Sequence, residues 1–108
     1  MEILNRLVDW KRGNVHPRSS TWPTFRDAFL RANKQCVCCR TKSGLEVHHK
    51  KPYHLYPELE LDVNNVMTLC RRCHLLFGHL CDWSSWNPDV EKDVPLYTQK
   101  IRNRKYEK

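Results

Sequence analysis

The chain has 108 residues and a formal charge of +7, from 19 Lys and Arg against 12 Asp and Glu. That length fits one domain with a modest core, for which a structural metal is a common staple. No apolar run is long enough to cross a membrane, the opening MEILNRLVDW has no apolar stretch of the signal-peptide kind, and the positive excess points to a polyanionic partner.

The charge is uneven. Residues 1–35 carry seven basic and three acidic side chains (+4), residues 36–79 six and four (+2), and residues 80–108 six and five (+1). Six cysteines in a chain without an export signal favour thiolate metal ligands over disulfides, so an intracellular, cytoplasmic protein is expected.

In chain order, residues 2–10 suit a short amphipathic helix through Ile3, Leu4, Leu7, Val8 and Trp10. Gly13 and Pro17 mark a loop. Thr21 is a candidate N-cap with Pro23 in the first turn, and a helix is expected to about Ala32. Its apolar face holds Trp22, Phe25, Phe29 and Leu30, read as core packing. Residues 44–49 alternate as a strand does. Pro52 and Pro57 keep residues 52–60 irregular. Val63 to Leu69 reads as a second strand opened by Asn65, and Cys70 to about His79 as a helix. Asn87-Pro88 starts a further helix over 88–104, which Pro95 is expected to kink or split. The charged tail 102–108 is expected to fray. The division is an N-terminal arm (1–20), a core (21–87) and a C-terminal helical extension (88–108), one domain overall.

Two Cys-x2-Cys knuckles, Cys36/Cys39 and Cys70/Cys73, lie about thirty residues apart. A two-residue gap lets the chain turn back so that both sulfurs face one ion, and four thiolates suit tetrahedral structural zinc. The spacing leaves Cys38 spare, and Cys81 falls outside any pattern. Thioredoxin-like surroundings for a redox pair are missing.

Between the knuckles stand His48, His49 and Asn65, and His74 directly follows the last cysteine. Adjacent strand residues point to opposite faces, so His48 and His49 cannot both ligate one metal from the same side. One imidazole is therefore expected to bind metal and the other to do chemistry. The Asn65 amide oxygen is expected to accept the Nδ1–H of the catalytic imidazole and so aim its Nε2 at water.

The stretches CVCCRTKSGLEVHHKKP and NNVMTLCRRCH together resemble the HNH endonucleases, also called His-Me finger or ββα-metal nucleases. HLLFGHL with SWNP, and the upstream SSTWPTFRDAFLRANKQC, resemble small HNH proteins encoded by bacteriophages. The resemblance covers residues 18–94. It implies an α+β fold with a ββα-metal core, a four-cysteine zinc clamp and flanking helices. It implies metal-dependent hydrolysis of DNA phosphodiesters to 5′-phosphate and 3′-hydroxyl ends, with His49 as general base and Asn65 as the middle residue of the motif. His48 and His74 would ligate a catalytic divalent metal (Mg²⁺, Mn²⁺, Ni²⁺ or Zn²⁺), beside the structural Zn²⁺.

Relatives place a third ligand one helical turn after the Cys-His pair. Here that position is Gly78, and His79 stands one residue further, about 140° away on a regular helix. Gly78 is expected to loosen the helix and swing His79 inward. Lys50, Lys51, Arg71, Arg72, Arg26 and Arg31 are candidate phosphate contacts, joined by Arg18 and Lys34 upstream of the first knuckle. DNA is the expected partner, with phage packaging or other DNA-processing proteins implied by resemblance alone. The alternatives are a non-catalytic zinc-dependent DNA-binding module and a nuclease that also cuts RNA.

Overall fold

The computed structural model describes residues 18–106, and from residue 100 onward the backbone alone. The helix expected over residues 2–10 and the loop around Gly13 and Pro17 lie outside the described residues. The architecture is a small α+β unit. Helix α1 (Trp22–Ala32) precedes strand β1 (Leu45–His49), strand β2 (Val66–Cys70), a short helix α2 (Arg71–Cys73) that runs on into a π-helical turn (His74–Gly78), and helix α3 (Val90–Tyr106). No helix among the described residues is long and apolar enough to cross a membrane.

Helix α1 starts where Thr21 and Pro23 predict, although the Thr21 hydroxyl pairs with Ser19 Oγ at 2.9 Å instead of capping the helix. Asn33 ends it twice over, through its backbone N–H and its Nδ2, both donated to the Phe29 carbonyl. Of the apolar residues on α1, Trp22 is buried; Phe25, Phe29 and Leu30 are half-buried. Phe25 bridges Trp22 and Phe29, with ring centroids 5.8 and 6.4 Å apart.

The two strands pair antiparallel, Leu45 opposite Cys70 through to His49 opposite Val66. Directly opposed residues share a face. Leu45, Val47, His49, Val66 and Thr68 therefore form one face, and Glu46, His48, Met67 and Leu69 the other. Thr68 donates its hydroxyl to the Asn33 carbonyl at 2.9 Å, tying the first face to the end of α1. The second strand begins at Val66, later than predicted. Val63–Asn65 form a 3₁₀ turn, capped by Asp62, which accepts from the Asn64 N–H at 2.9 Å. Asn65 thus closes a turn before the strand.

The four knuckle sulfurs lie within 4.8 Å of one another, in the middle of the apolar core formed by Leu69, Val90 and Val94. Each knuckle carries an N–H···S contact at 3.5 Å, from Cys39 to Cys36 Sγ and from Cys73 to Cys70 Sγ. Burial raises the thiol pKa at Cys73 and Cys39. At Cys36 burial acts the same way, but N–H groups of Cys70, Cys39 and Cys38 outweigh it and bring the pKa down to about 7. One cation that accepts four thiolates removes this conflict, and the set fits tetrahedral zinc. Cys38, the spare thiol, is buried against α3, and its carbonyl accepts the Thr98 hydroxyl at 2.8 Å. Cys81 is exposed.

Of the kink or split expected at Pro95, the split does not occur: helix α3 is one element that continues to Tyr106, into the tail expected to fray. Pro95 sits in the second turn, where it forfeits only the hydrogen bond to the Glu91 carbonyl. Val90 and Val94 before it are buried in the core, and Thr98 after it holds Cys38. The helix begins at Val90, two residues later than expected, and Asn87 caps the turn that leads into it: Oδ1 accepts from the Asp89 N–H at 2.9 Å and Nδ2 donates to Asp93 at 2.8 Å.

Because metal binding free energy at such a cluster is folding free energy, on the order of 10 kcal/mol, Cys73→Ser should abolish the cooperative thermal transition. Cys38→Ala should keep one bound zinc and a cooperative melt, lowered by the loss of one small packed side chain. Metal content by mass spectrometry, alongside calorimetry, checks both.

Candidate metal centre and nucleic-acid groove

His48 projects from the second face of β1 and is 1% exposed. Its ring lies 4.9 Å from that of His74 and 5.2 Å from that of His79, centroid to centroid, both edge-on. One nitrogen from each of the three imidazoles lies within 4.8 Å of the others.

The position of His79 follows from the π-helical turn. The His79 N–H donates to the His74 carbonyl at 3.1 Å, an i+5 to i bond. Such a turn holds one residue more than an α-turn, which stacks His79 over His74 instead of rotating it away. Gly78 makes the close approach possible. A Cβ at Gly78 would lie 2.8 Å from both Cε1 and Nδ1 of His48 and 3.1 Å from Cδ2 of His74. Leu80 and Cys81, at φ 53° and 68°, then turn the chain back. The Ser85 carbonyl beyond that bend accepts from His79 Nδ1 at 2.7 Å.

With Nδ1 engaged, His79 presents Nε2 to the cluster, 3.1 Å from His74 Nε2. His74 is fixed in the same way: its Nδ1 lies 3.0 Å from Glu46 Oε1, while Glu46 Oε2 accepts from Arg71 at 3.0 Å. A carboxylate or carbonyl behind a ligating imidazole selects the tautomer and aims the other nitrogen. Glu46 is absent from the candidates that the sequence motifs supply. It stands two residues before His48, on the same strand face, and that spacing is the signal that marks it.

His48 is the informative member. Both of its ring nitrogens are buried without a hydrogen-bond partner among the described residues. Burial, followed by the neighbouring His74, His79 and His49, pushes its pKa down to about 2, so the ring is neutral. A buried imidazole with unused nitrogens, facing two others with oriented Nε2 atoms, fits a divalent cation.

His49 points to the opposite face. Its ring lies 4.8 Å from Trp22 and 6.3 Å from Tyr53. Nε2 is 2.8 Å from the Glu60 carbonyl and donates to it, which leaves Nδ1 as the basic nitrogen. This reverses the predicted tautomer. It also removes the predicted Asn65–His49 bond, because the Asn65 amide is fully used elsewhere. Oδ1 accepts the Lys51 N–H at 3.0 Å, and Nδ2 donates to the carbonyls of Lys51 and Leu59 at 3.0 and 3.2 Å. Asn65 ties the two ends of the 51–59 loop to β2, and the loop in turn carries Glu60. Burial holds the His49 pKa below its ordinary value, against the opposing pull of the Glu60 hydrogen bond.

A cavity of about 110 Å³ is lined by His48, His49, His74, His79, Arg18 and Tyr53, among others, so the lone imidazole and the three-histidine cluster share one space. A groove of about 610 Å³ runs past it, lined by Arg18, Arg26, Arg71, Trp22, Glu46, His74 and Trp83. Of the predicted phosphate contacts, Arg18, Arg26 and Arg71 line this groove. Lys50 and Lys51 line a different hollow, beside Asn64 and Glu91. Lys50 pairs with Glu91 at 2.7 Å and donates to the Asn64 carbonyl at 3.0 Å, pinning the end of β1 to α3. Lys51 packs its ammonium over the Tyr56 ring. Arg31 and Arg72 are exposed and line neither cavity. His54 lines the smaller cavity, and His16 lies outside the described residues.

Two substitutions test the centre without an activity assay. Gly78→Ala forces a methyl group against His48 and should abolish tight binding of Ni²⁺ or Mn²⁺ at the histidines while the zinc-dependent melt survives. Glu46→Gln should weaken that binding by about 10–100-fold. Isothermal titration of the zinc-loaded protein measures both.

Residues 36–79 match the family model described as HNH endonuclease. No curated protein and no solved structure matches the chain. The matched span begins at the first knuckle cysteine and ends at the third histidine of the cluster, so it encloses the clamp, both strands and the π-helical turn, and this stretch of the chain is similar to the HNH endonucleases.

Proposed function

We propose that the protein is a metal-dependent endonuclease that hydrolyses DNA phosphodiesters. The observation that carries this reading is the pairing of His49, with a free Nδ1, and the unpartnered His48 across one small cavity beside a basic groove. A zinc module that only binds DNA has no use for a three-histidine cluster in addition to its four-cysteine clamp.

In this reading His48, His74 and His79 hold the divalent cation. A divalent cation held there would neutralise negative charge that develops at the scissile phosphate. His49 takes the proton of the attacking water at Nδ1 while Nε2–H stays bonded to the Glu60 carbonyl, which keeps the ring aimed and stabilises the imidazolium as it forms. Attack opposite the 3′-oxygen breaks the P–O3′ bond; the departing oxygen takes a proton from solvent, leaving 5′-phosphate and 3′-hydroxyl ends. Asn65 acts through the loop it ties down and not by touching His49. Arg26 and Arg71 sit where they can hold phosphates of the bound strand; their role is positioning rather than base reading. Cys36, Cys39, Cys70 and Cys73 hold zinc and keep the fold.

The test is nicking of supercoiled plasmid with Mg²⁺, Mn²⁺, Ni²⁺ or Zn²⁺ supplied in turn. Wild type should nick, and His49→Ala should lower the rate by about 10²–10⁴-fold, the usual worth of a general base, while keeping a cooperative zinc-dependent melt and its DNA affinity. Absence of cleavage with every metal, or equal cleavage by His49→Ala, overturns the reading.

A further inference from the structure

Several cations border the groove, but their donors are not equally free. Arg71 is engaged by Glu46 at 3.0 Å and Arg26 by the adjacent Asp27 at 3.2 Å. Among the described residues Arg18 has only a loose ion pair, 3.9 Å from Glu60, and its side chain is 42% exposed. It also lines both the wide groove and the small cavity that holds His48, His49, His74 and His79, which Arg26 and Arg71 do not.

Its guanidinium is nevertheless held in place. The central carbon sits 4.5 Å from the centroid of the Trp22 ring and 4.1 Å from that of Tyr53. These are the same two rings that pack beside His49. Stacking on ring faces fixes the plane of a guanidinium and leaves its N–H edge available. Glu60 completes the arrangement: its carboxylate accepts from the Ser19 N–H at 3.2 Å, anchoring the segment that carries Arg18, while its carbonyl holds His49. One loop residue therefore sets both the base and the arginine.

We infer that Arg18 is a catalytic residue that donates to a non-bridging oxygen of the scissile phosphate. This rests on the hydrolytic reading above. A phosphate between His49 and the histidine cluster lies in the cavity that Arg18 lines, and the planar fork of a guanidinium matches two phosphate oxygens. Negative charge grows on those oxygens as water adds, so a donor already fixed there stabilises the transition state more than the ground state. Arg26 and Arg71, further along the groove, hold the strand without reaching the reacting phosphorus.

The experiment is steady-state cleavage of a short labelled duplex by wild type, Arg18→Ala, Arg18→Lys and Arg26→Ala, with added ethylguanidinium at millimolar concentration. Thermal melts and zinc content are measured on each protein. Arg18→Ala should lower kcat by about 10²-fold, comparable to loss of one oxyanion donor, with KM changed far less. Ethylguanidinium should restore part of that rate, and Arg18→Lys should fall between. Arg26→Ala should act mainly on KM. If wild type cleaves and Arg18→Ala cleaves equally well, or loses rate only through KM, the inference about Arg18 fails while the nuclease reading stands. If Arg18→Ala loses rate with a lowered melt and no rescue, Arg18 is a packing residue and the inference fails too. If wild type does not cleave, it is the hydrolytic reading that falls.

Discussion

The gathering of four thiols within 4.8 Å is the constraint on which the rest of the structure depends. Cys36 and Cys39 lie on a loop after α1, whereas Cys70 ends β2 and Cys73 ends α2. Joining them pins the start of the strand pair to its finish. The Leu45–Cys70 pairing follows directly, and the register then runs without slippage to His49 opposite Val66. A one-residue slip would move His48 and His49 to the wrong faces. The core around the cluster is small, and Leu69, Val90 and Val94 alone make a thin interior for such a chain. A metal ion held by the four thiolates would supply what the apolar residues do not.

From that frame β1 sorts chemistry by face. Glu46 and His48 look toward the π-helical turn and, with His74 and His79, form a nitrogen-rich pocket with one backing carboxylate. His49 looks toward α1, where Trp22 and the Glu60 carbonyl hold its ring. The two sites stay separate because successive strand residues diverge. They still meet in one cavity, because His48 and His49 stand at the end of the sheet where the 51–59 loop curls over. The proposed division of labour, metal on one face and proton transfer on the other, is a consequence of pleat geometry.

Much of this is written in residue spacing. The knuckles, the His-His pair and the Cys-His step announce themselves because metal ligation and strand alternation demand fixed intervals. What spacing does not reveal depends on backbone groups and on neighbours distant in sequence. The carbonyl of Glu60 orients His49, and no residue type marks a carbonyl. Asn65 lies close enough to suggest a direct bond to His49, yet its amide is spent on Lys51 and Leu59. Lys50 and Lys51 follow the histidine pair and read as phosphate contacts, but Lys50 is drawn to Glu91 on α3 and Lys51 to Tyr56. The inward swing of His79 is legible from Gly78, though as a loosened helix; the structure does it with an ordered i+5 bond that a helical wheel cannot express. Pro95 does not split α3, because contacts on both sides of it outweigh one missing hydrogen bond.

The central claim is that one short chain holds two metals of different character, a sulfur-bound ion that maintains the fold and a nitrogen-bound ion that exchanges. X-ray absorption on zinc-loaded protein exchanged into Ni²⁺ tests it most directly, because each edge reports its own ligands. The account predicts a zinc edge with an all-sulfur shell that survives exchange, and a nickel edge with imidazole nitrogen and oxygen neighbours and no sulfur. A nickel shell containing sulfur, or loss of the sulfur-bound zinc on exchange, would contradict it.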